Sequence, residues 1–148
     1  MAKDQEEFKE LWESVSIILN ENESVPTGFT DYCRDLILYA HSIDDIKDDD
    51  IDKIKKEDYV NFLLPATNWN NNLFYLNNKA KLGILQHYTI YKWELSNNTS
   101  NKHIRRILKC GVITFIGFIV QEHCKNNEIV KRFNEMVNEI ILENLNKD

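Results

Sequence analysis

Apolar residues recur every three or four positions along most of the chain, which is the spacing of one face of an α-helix. The first such stripe ends at the polar segment 20–28, and its members are Phe8, Leu11, Trp12, Val15, Ile18 and Leu19. A second apolar stripe begins at Phe29, and its helix is predicted to end near Ser42. Either Thr30 or Asp31 supplies the side-chain oxygen that caps its N-terminus.

The rest of the chain repeats this pattern four times. After an acidic loop, a third helix beginning near Ile51 is predicted to stop before Pro65, because a proline disfavours helix geometry at the residue before it. A long fourth helix spans residues 72–95, and its inward stripe is predicted to comprise Leu73, Leu76, Ala80, Ile84, Tyr88, Tyr91 and Leu95. A polar break separates it from helices over 104–124 and 128–145.

Composition and charge narrow the fold and the partners. The 148 residues include only 4 Gly and 2 Pro, too few for the many turns of an all-β fold. We therefore expect an all-α protein with one domain over residues 1–148. The formal charge of −6 and the short Lys/Arg clusters predict no nucleic-acid binding. The charged N-terminus has no apolar signal region, which predicts a cytoplasmic protein.

Residues 110–120 carry no charge and would be apolar on every side of a helix. Such a short segment rises only about 16 Å, against about 30 Å for the hydrocarbon core of a bilayer, so no membrane span is predicted. A helix of this kind must instead be surrounded by protein. The sequence therefore predicts a bundle of about six helices around a central apolar helix.

The C-terminal segment 107–145 resembles the corresponding part of the Bcl-2 fold, especially the short forms encoded by large DNA viruses; it reads ILKCGVITFIGFIVQEHCKNNEIVKRFNEMVNEIILENL. Gly111 falls near the glycine of the family's Asn-Trp-Gly-Arg groove motif, although no Trp precedes it and no Arg follows it. A death-ligand-like helix is also incomplete, because Leu38 and Ser42 have the family's spacing but Ile43 stands where Asp is expected. With no membrane anchor predicted, the chain is similar to viral forms that bind signalling adaptors.

This resemblance implies a non-enzymatic protein that binds a partner protein and inhibits or modulates it, as viral regulators of host apoptosis or innate immune signalling do. The predicted partner-binding residues are Trp69, Tyr75, Tyr88, Trp93 and Gly111. Because one helix stripe cannot bury every aromatic side chain here, Trp93 and Tyr75 are expected to be exposed anchors. The alternative is that these aromatics pack the core. Homodimerisation stays open, and no cofactor is predicted.

A second interpretation begins from the acidic residues. The alternative function is that of a small acidic inhibitor from a phage or mobile element, which acts on a defence-system protein as a nucleic-acid mimic. Such a protein would cluster six carboxylates on one face: Asp44, Asp45, Asp48, Asp49, Asp50 and Asp52. The same run does not fit a calcium loop, because Lys53 and Tyr59 occupy positions that need Gly and Glu. The cysteines and histidines lack zinc-ligand spacing, and no catalytic motif is present, so neither a metal nor an enzymatic activity is predicted.

Overall fold

Helices make up nearly all of the described chain. The computed structural model describes residues 16–17, 24–48 and 55–146, and within them it contains no strand. Its helices are α1 (Phe29–Asp48), α2 (Lys56–Trp69), α3 (Leu73–Asn77), α4 (Lys79–Asn97), α5 (Lys102–Lys109), α6 (Gly111–His123) and α7 (Asn127–Leu145). The predicted all-α bundle is confirmed. All six residues of the first predicted stripe lie outside the described residues.

Helix α1 packs against four other helices of the described bundle. It packs most extensively on α2 and also contacts α3, α4 and α6. The residues that it buries are Phe29, Tyr32, Cys33, Leu36, Ile37 and Ala40. This is the stripe predicted from the sequence, and its removal from water is the main favourable contribution to docking α1.

Helix α6 is the apolar helix that the sequence predicts inside the bundle. Its buried residues are Val112, Phe115, Ile116, Gly117, Ile119 and Val120. One side of the helix remains open, because Thr114 is exposed and Phe118 is 50% exposed. The described neighbours of α6 therefore enclose it less completely than the uncharged sequence predicts.

Two helices extend beyond their predicted ends. α1 continues six residues past Ser42, and Ile43 keeps the three-residue apolar spacing that begins at Ala40. α2 runs through Pro65 to Trp69 instead of stopping before the proline. A proline inside a helix costs about 3 kcal/mol. Since Pro65 is buried and α2 makes the most extensive helix contact in the bundle, packing on α1 offsets that cost.

Two predicted helices are each divided by a short break. The fourth is interrupted at Asn78, whose backbone N–H donates to the Tyr75 carbonyl at 3.1 Å and whose side-chain amide donates to the Phe74 carbonyl at 2.9 Å. Local bonds of this kind compete with the regular helical ladder. The fifth is divided at Cys110, but the Thr114 N–H still donates to the Cys110 carbonyl at 3.0 Å, so α6 follows α5 almost directly.

Candidate protein-binding surface

A row of large apolar side chains on α4 faces solvent. Its members are Ile84, Tyr88, Tyr91 and Leu95, which are 74%, 55%, 56% and 41% exposed. We call these four residues the outer stripe. Their spacing of four, three and four places them on one side of the helix over three turns. Exposed apolar residues scattered singly need no explanation, whereas a contiguous row of large ones often marks an interaction site.

The opposite side of α4 is buried, which reverses the predicted orientation of this helix. The residues of α4 in the core are Leu82, Thr89, Trp93 and Ser96. The two hydroxyls are satisfied within the helix, because Thr89 Oγ1 donates to the Leu85 carbonyl at 2.8 Å and Ser96 Oγ donates to the Trp93 carbonyl at 2.5 Å. A buried hydroxyl with a partner costs little. The prediction that the outer stripe faces inward is therefore wrong.

Contacts to two other helices fix the rotation of α4. The Tyr32 hydroxyl of α1 donates to Gln86 Oε1 at 2.8 Å across 54 residues of sequence. The Lys109 ammonium of α5 lies 5.8 Å from the centre of the Trp93 ring. Both contacts involve the inner side of α4, so they hold the outer stripe toward solvent.

The five predicted binding residues occupy different environments. Trp69 is buried at the end of α2, where its ring lies 5.2 Å from that of Tyr39. Gly111 begins α6, and an added Cβ there would meet nothing within 4 Å, so packing does not require a glycine. Tyr88 belongs to the outer stripe. It is the one residue of the predicted set that the structure places in this row.

The two residues expected to be exposed anchors are covered to different degrees. Trp93 is only 7% exposed and belongs to the core, so the expectation of an exposed Trp93 is wrong. Tyr75 is half-buried, with its ring stacked on that of Tyr32 at a centroid distance of 6.0 Å. Sequence reasoning placed Tyr91, Ile84 and Leu95 in the core instead. The sequence does contain a sign of their exposure, because apolar residues lie on both sides of α4 and only one side can face the core.

Lysines border one side of the outer stripe. The Lys92 ammonium lies 4.9 Å from the centre of the Tyr88 ring, a distance at which a cation is attracted to the ring face. Lys81 lies on the same side of α4, three turns away, and it pairs with Glu122 of α6. The hydrogen bond from Lys81 is the main reason that the pKa of the Glu122 carboxyl lies below its usual value. The Lys81 ammonium also lies 5.5 Å from the Phe118 ring.

A second group of exposed apolar side chains lies on α2. Its members are Tyr59, Val60, Leu63 and Leu64, each between 44% and 59% exposed. Residues 49–54, which precede α2 in the sequence, and the side chains at 57, 58, 61 and 62 lie outside the described part of the chain. Every side chain of α4 is described, so the proposal below concerns the outer stripe.

The described side chains include no metal-ligand cluster and no exposed thiol. Among them, no group of three or more His, Cys, Asp or Glu could hold a metal ion. All three cysteines are free thiols and buried. Burial raises the pKa of Cys33 far above that of an exposed thiol, which suppresses the reactive thiolate.

The acidic segment is only partly described. The backbone of Asp44, Asp45 and Asp48 belongs to the last turns of α1. Their side chains, and all of residues 49–52, lie outside the described part of the structure. The predicted clustering of six carboxylates on one face therefore stays a prediction.

Comparison with known proteins gives no family for this chain. No protein-family model, no curated protein and no solved structure matches it. The Bcl-2-like resemblance stays a prediction. Within the described residues, no helix has both the length and the apolar character needed to cross a membrane.

Proposed function

We propose that this protein is a non-enzymatic binding module that contacts another protein through the outer stripe of α4. One observation carries the proposal: four large apolar residues in a single row are between 41% and 74% exposed on a helix whose other side is fixed in the core. Covering such a row with protein removes apolar surface from water and is favourable.

The composition and length of the outer stripe suit a protein interface. Tyr88 and Tyr91 form its middle, and tyrosine is among the residue types that contribute most to binding energy at interfaces. From Ile84 to Leu95 the helix rises about 16 Å, the length over which two helices pack side by side or a helix fills a groove.

The proposal includes the kind of regulator that the sequence predicts. A protein that works by occupying a partner's surface needs a folded scaffold and an exposed apolar row. Here the helical bundle is the scaffold, and the outer stripe is the row. We propose that it inhibits or modulates its partner, in the manner of viral Bcl-2-like regulators of apoptosis or innate signalling in the host cytoplasm. Both the Bcl-2-like family and a host protein as the partner are parts of this proposal.

Site-specific crosslinking tests the proposed surface. A photoreactive phenylalanine derivative replaces Tyr91 in the full chain, and the same group replaces Glu135, which is exposed on α7, as the control. A partner crosslinked from position 91 but not from 135 in an extract of source or host cells is then purified. Its affinity is measured by calorimetry.

The affinity of that partner for three proteins decides the outcome. We expect Tyr88→Ser/Tyr91→Ser to weaken binding by about tenfold or more, because two buried aromatic contacts are lost. Tyr59→Ser removes a comparably exposed tyrosine from α2 and is the matched control, with less than about a twofold effect. Equal affinity for the native chain and the double variant would refute the proposed surface.

A further inference from the structure

The α4–α5 hairpin has a charge opposite to that of the rest of the chain. Residues 79–109 contain seven lysines and arginines and a single acid, Glu94, which gives a formal charge of +6. The whole chain carries −6, so the remaining residues carry −12. Because α4 and α5 pack against each other, the cations of the two helices belong to one part of the molecule.

Cations and apolar side chains are both exposed on the two helices of this hairpin. On α4, Lys92 lies against the Tyr88 ring of the outer stripe. On α5, Lys102 and Arg105 are exposed, and the neighbouring Ile104 and Ile107 are 48% and 60% exposed. The hairpin therefore offers apolar contact together with positive charge.

We propose that the segment bound on the outer stripe is an acidic amphipathic α-helix of another protein. This inference rests on the proposed function and names the chemistry of its partner. Apolar residues at helical spacing would cover the outer stripe. Carboxylates beside them would face Lys92 and, at the C-terminal end of the stripe, Arg105, whose Nε donates to the Thr99 carbonyl at 3.2 Å. Opposite charge of this kind speeds association and selects among partners more than it adds affinity.

A second copy of this chain fits the same surface poorly. In a symmetric dimer the outer stripe of one protomer would face that of its partner, because a two-fold axis pairs identical patches. Each protomer would then bring the +6 hairpin to the interface, and like charges in contact oppose association. Charge therefore favours a different, acidic partner.

An anionic membrane and a nucleic acid fit less well than an acidic helix. A bilayer is flat and negative over the whole footprint of the protein, so it would also repel the acidic remainder within the Debye length of about 8 Å. A helix is only about 10–12 Å wide and reaches little beyond the outer stripe and its borders. A phosphate backbone offers no apolar row to cover Ile84 and Leu95.

Selection from a random library tests the inference without assuming a partner. The full chain is the bait for a display library of random linear peptides of about 16 residues, long enough for four helical turns. Peptides that also bind the Tyr88→Ser/Tyr91→Ser variant of the protein are discarded, so the binding of the remaining peptides depends on the outer stripe. The charge and apolar spacing of that pool are the first readout.

Charge reversal supplies the second readout, by fluorescence anisotropy of selected peptides. We expect a pool rich in Asp and Glu with apolar residues at helical spacing. For these peptides Lys92→Glu/Arg105→Glu should raise Kd by about tenfold, since attraction is replaced by repulsion. Lys125→Glu/Lys131→Glu changes two exposed lysines outside the hairpin by the same total charge, and should raise Kd by about twofold at most.

Each other result overturns the inference in a distinct way. Stripe-dependent peptides that are neutral or basic would refute the acidic partner and leave the proposed function standing. A library with no stripe-dependent binder would refute a helical segment as the partner, and the crosslinking test would then decide the proposed function alone. Stripe-dependent binding to phosphatidylserine-containing vesicles or to duplex DNA, or a stripe-dependent dimer in sedimentation velocity, each without acidic peptide binding, would replace the acidic helix by that partner.

Discussion

Asn72 joins the start of α3 to the turn before α1, although 44 residues separate the two sites. Its side-chain amide donates to the Gly28 carbonyl at 2.9 Å, and its Oδ1 accepts from the Tyr75 N–H at 2.9 Å. Gly28 has a φ of 88°, in the left-handed region that favours glycine. The asparagine therefore caps one helix while holding the turn at Gly28 against it.

We expect Gly28→Ala to destabilise the protein by about 2 kcal/mol, measured by urea unfolding. The left-handed φ itself costs an L-residue about 1 kcal/mol, and the new Cβ would lie 3.1 Å from the Phe74 backbone nitrogen, so α3 must shift. Gly83→Ala is the matched control. Its Cβ meets only Tyr75 Oη at 3.8 Å, and alanine favours the helix interior, so a gain of about 0.5–1 kcal/mol is expected. Equal effects at the two glycines would contradict this account.

The orientation of α4 shows what periodicity alone leaves undetermined. Its sequence has one apolar row through Ile84 and Tyr88 and another through Leu82 and Trp93, so the pattern predicts a helix but does not identify its buried side. The choice depends on the neighbours, because α1 offers the Tyr32 hydroxyl to Gln86. The buried row includes polar residues that satisfy their hydroxyls internally, a feature that a hydrophobicity pattern counts against burial.

Adjacent substitutions on α4 distinguish the two orientations. Thr89→Asp places a carboxylate on the buried side and should cost about 3 kcal/mol or more of unfolding free energy. Tyr88→Asp changes the exposed side and should cost about 1 kcal/mol at most, because its side chain is 55% exposed. Chemical denaturation followed by circular dichroism measures both. The orientation predicted from sequence requires the reverse order.

The apolar pattern of the sequence predicted the helices and much of the core better than it predicted which side chains the assembled protein exposes. The α1 stripe and the apolar α6 segment were predicted because a helix that is buried in a water-soluble protein must carry apolar residues on each side that packs, whichever helices it meets. The outer stripe was missed because exposure depends on which helices meet. The positive charge of the hairpin was not predicted, because its cations are spread over residues 79–109 and are brought to one part of the protein only when α4 and α5 pack together.

The three buried thiols test whether the bundle unfolds as one cooperative unit. Cys33 lies in α1, Cys110 at the junction of α5 and α6, and Cys124 after α6, so together they report on distant parts of the chain. In a single domain a buried thiol becomes reactive through global unfolding, so all three should be alkylated together as urea rises. Iodoacetamide labelling resolved by mass spectrometry at each cysteine gives three midpoints, and circular dichroism gives that of helix loss. We expect the four to coincide, and one thiol labelled well before the helices melt would show that the bundle contains a separate unit.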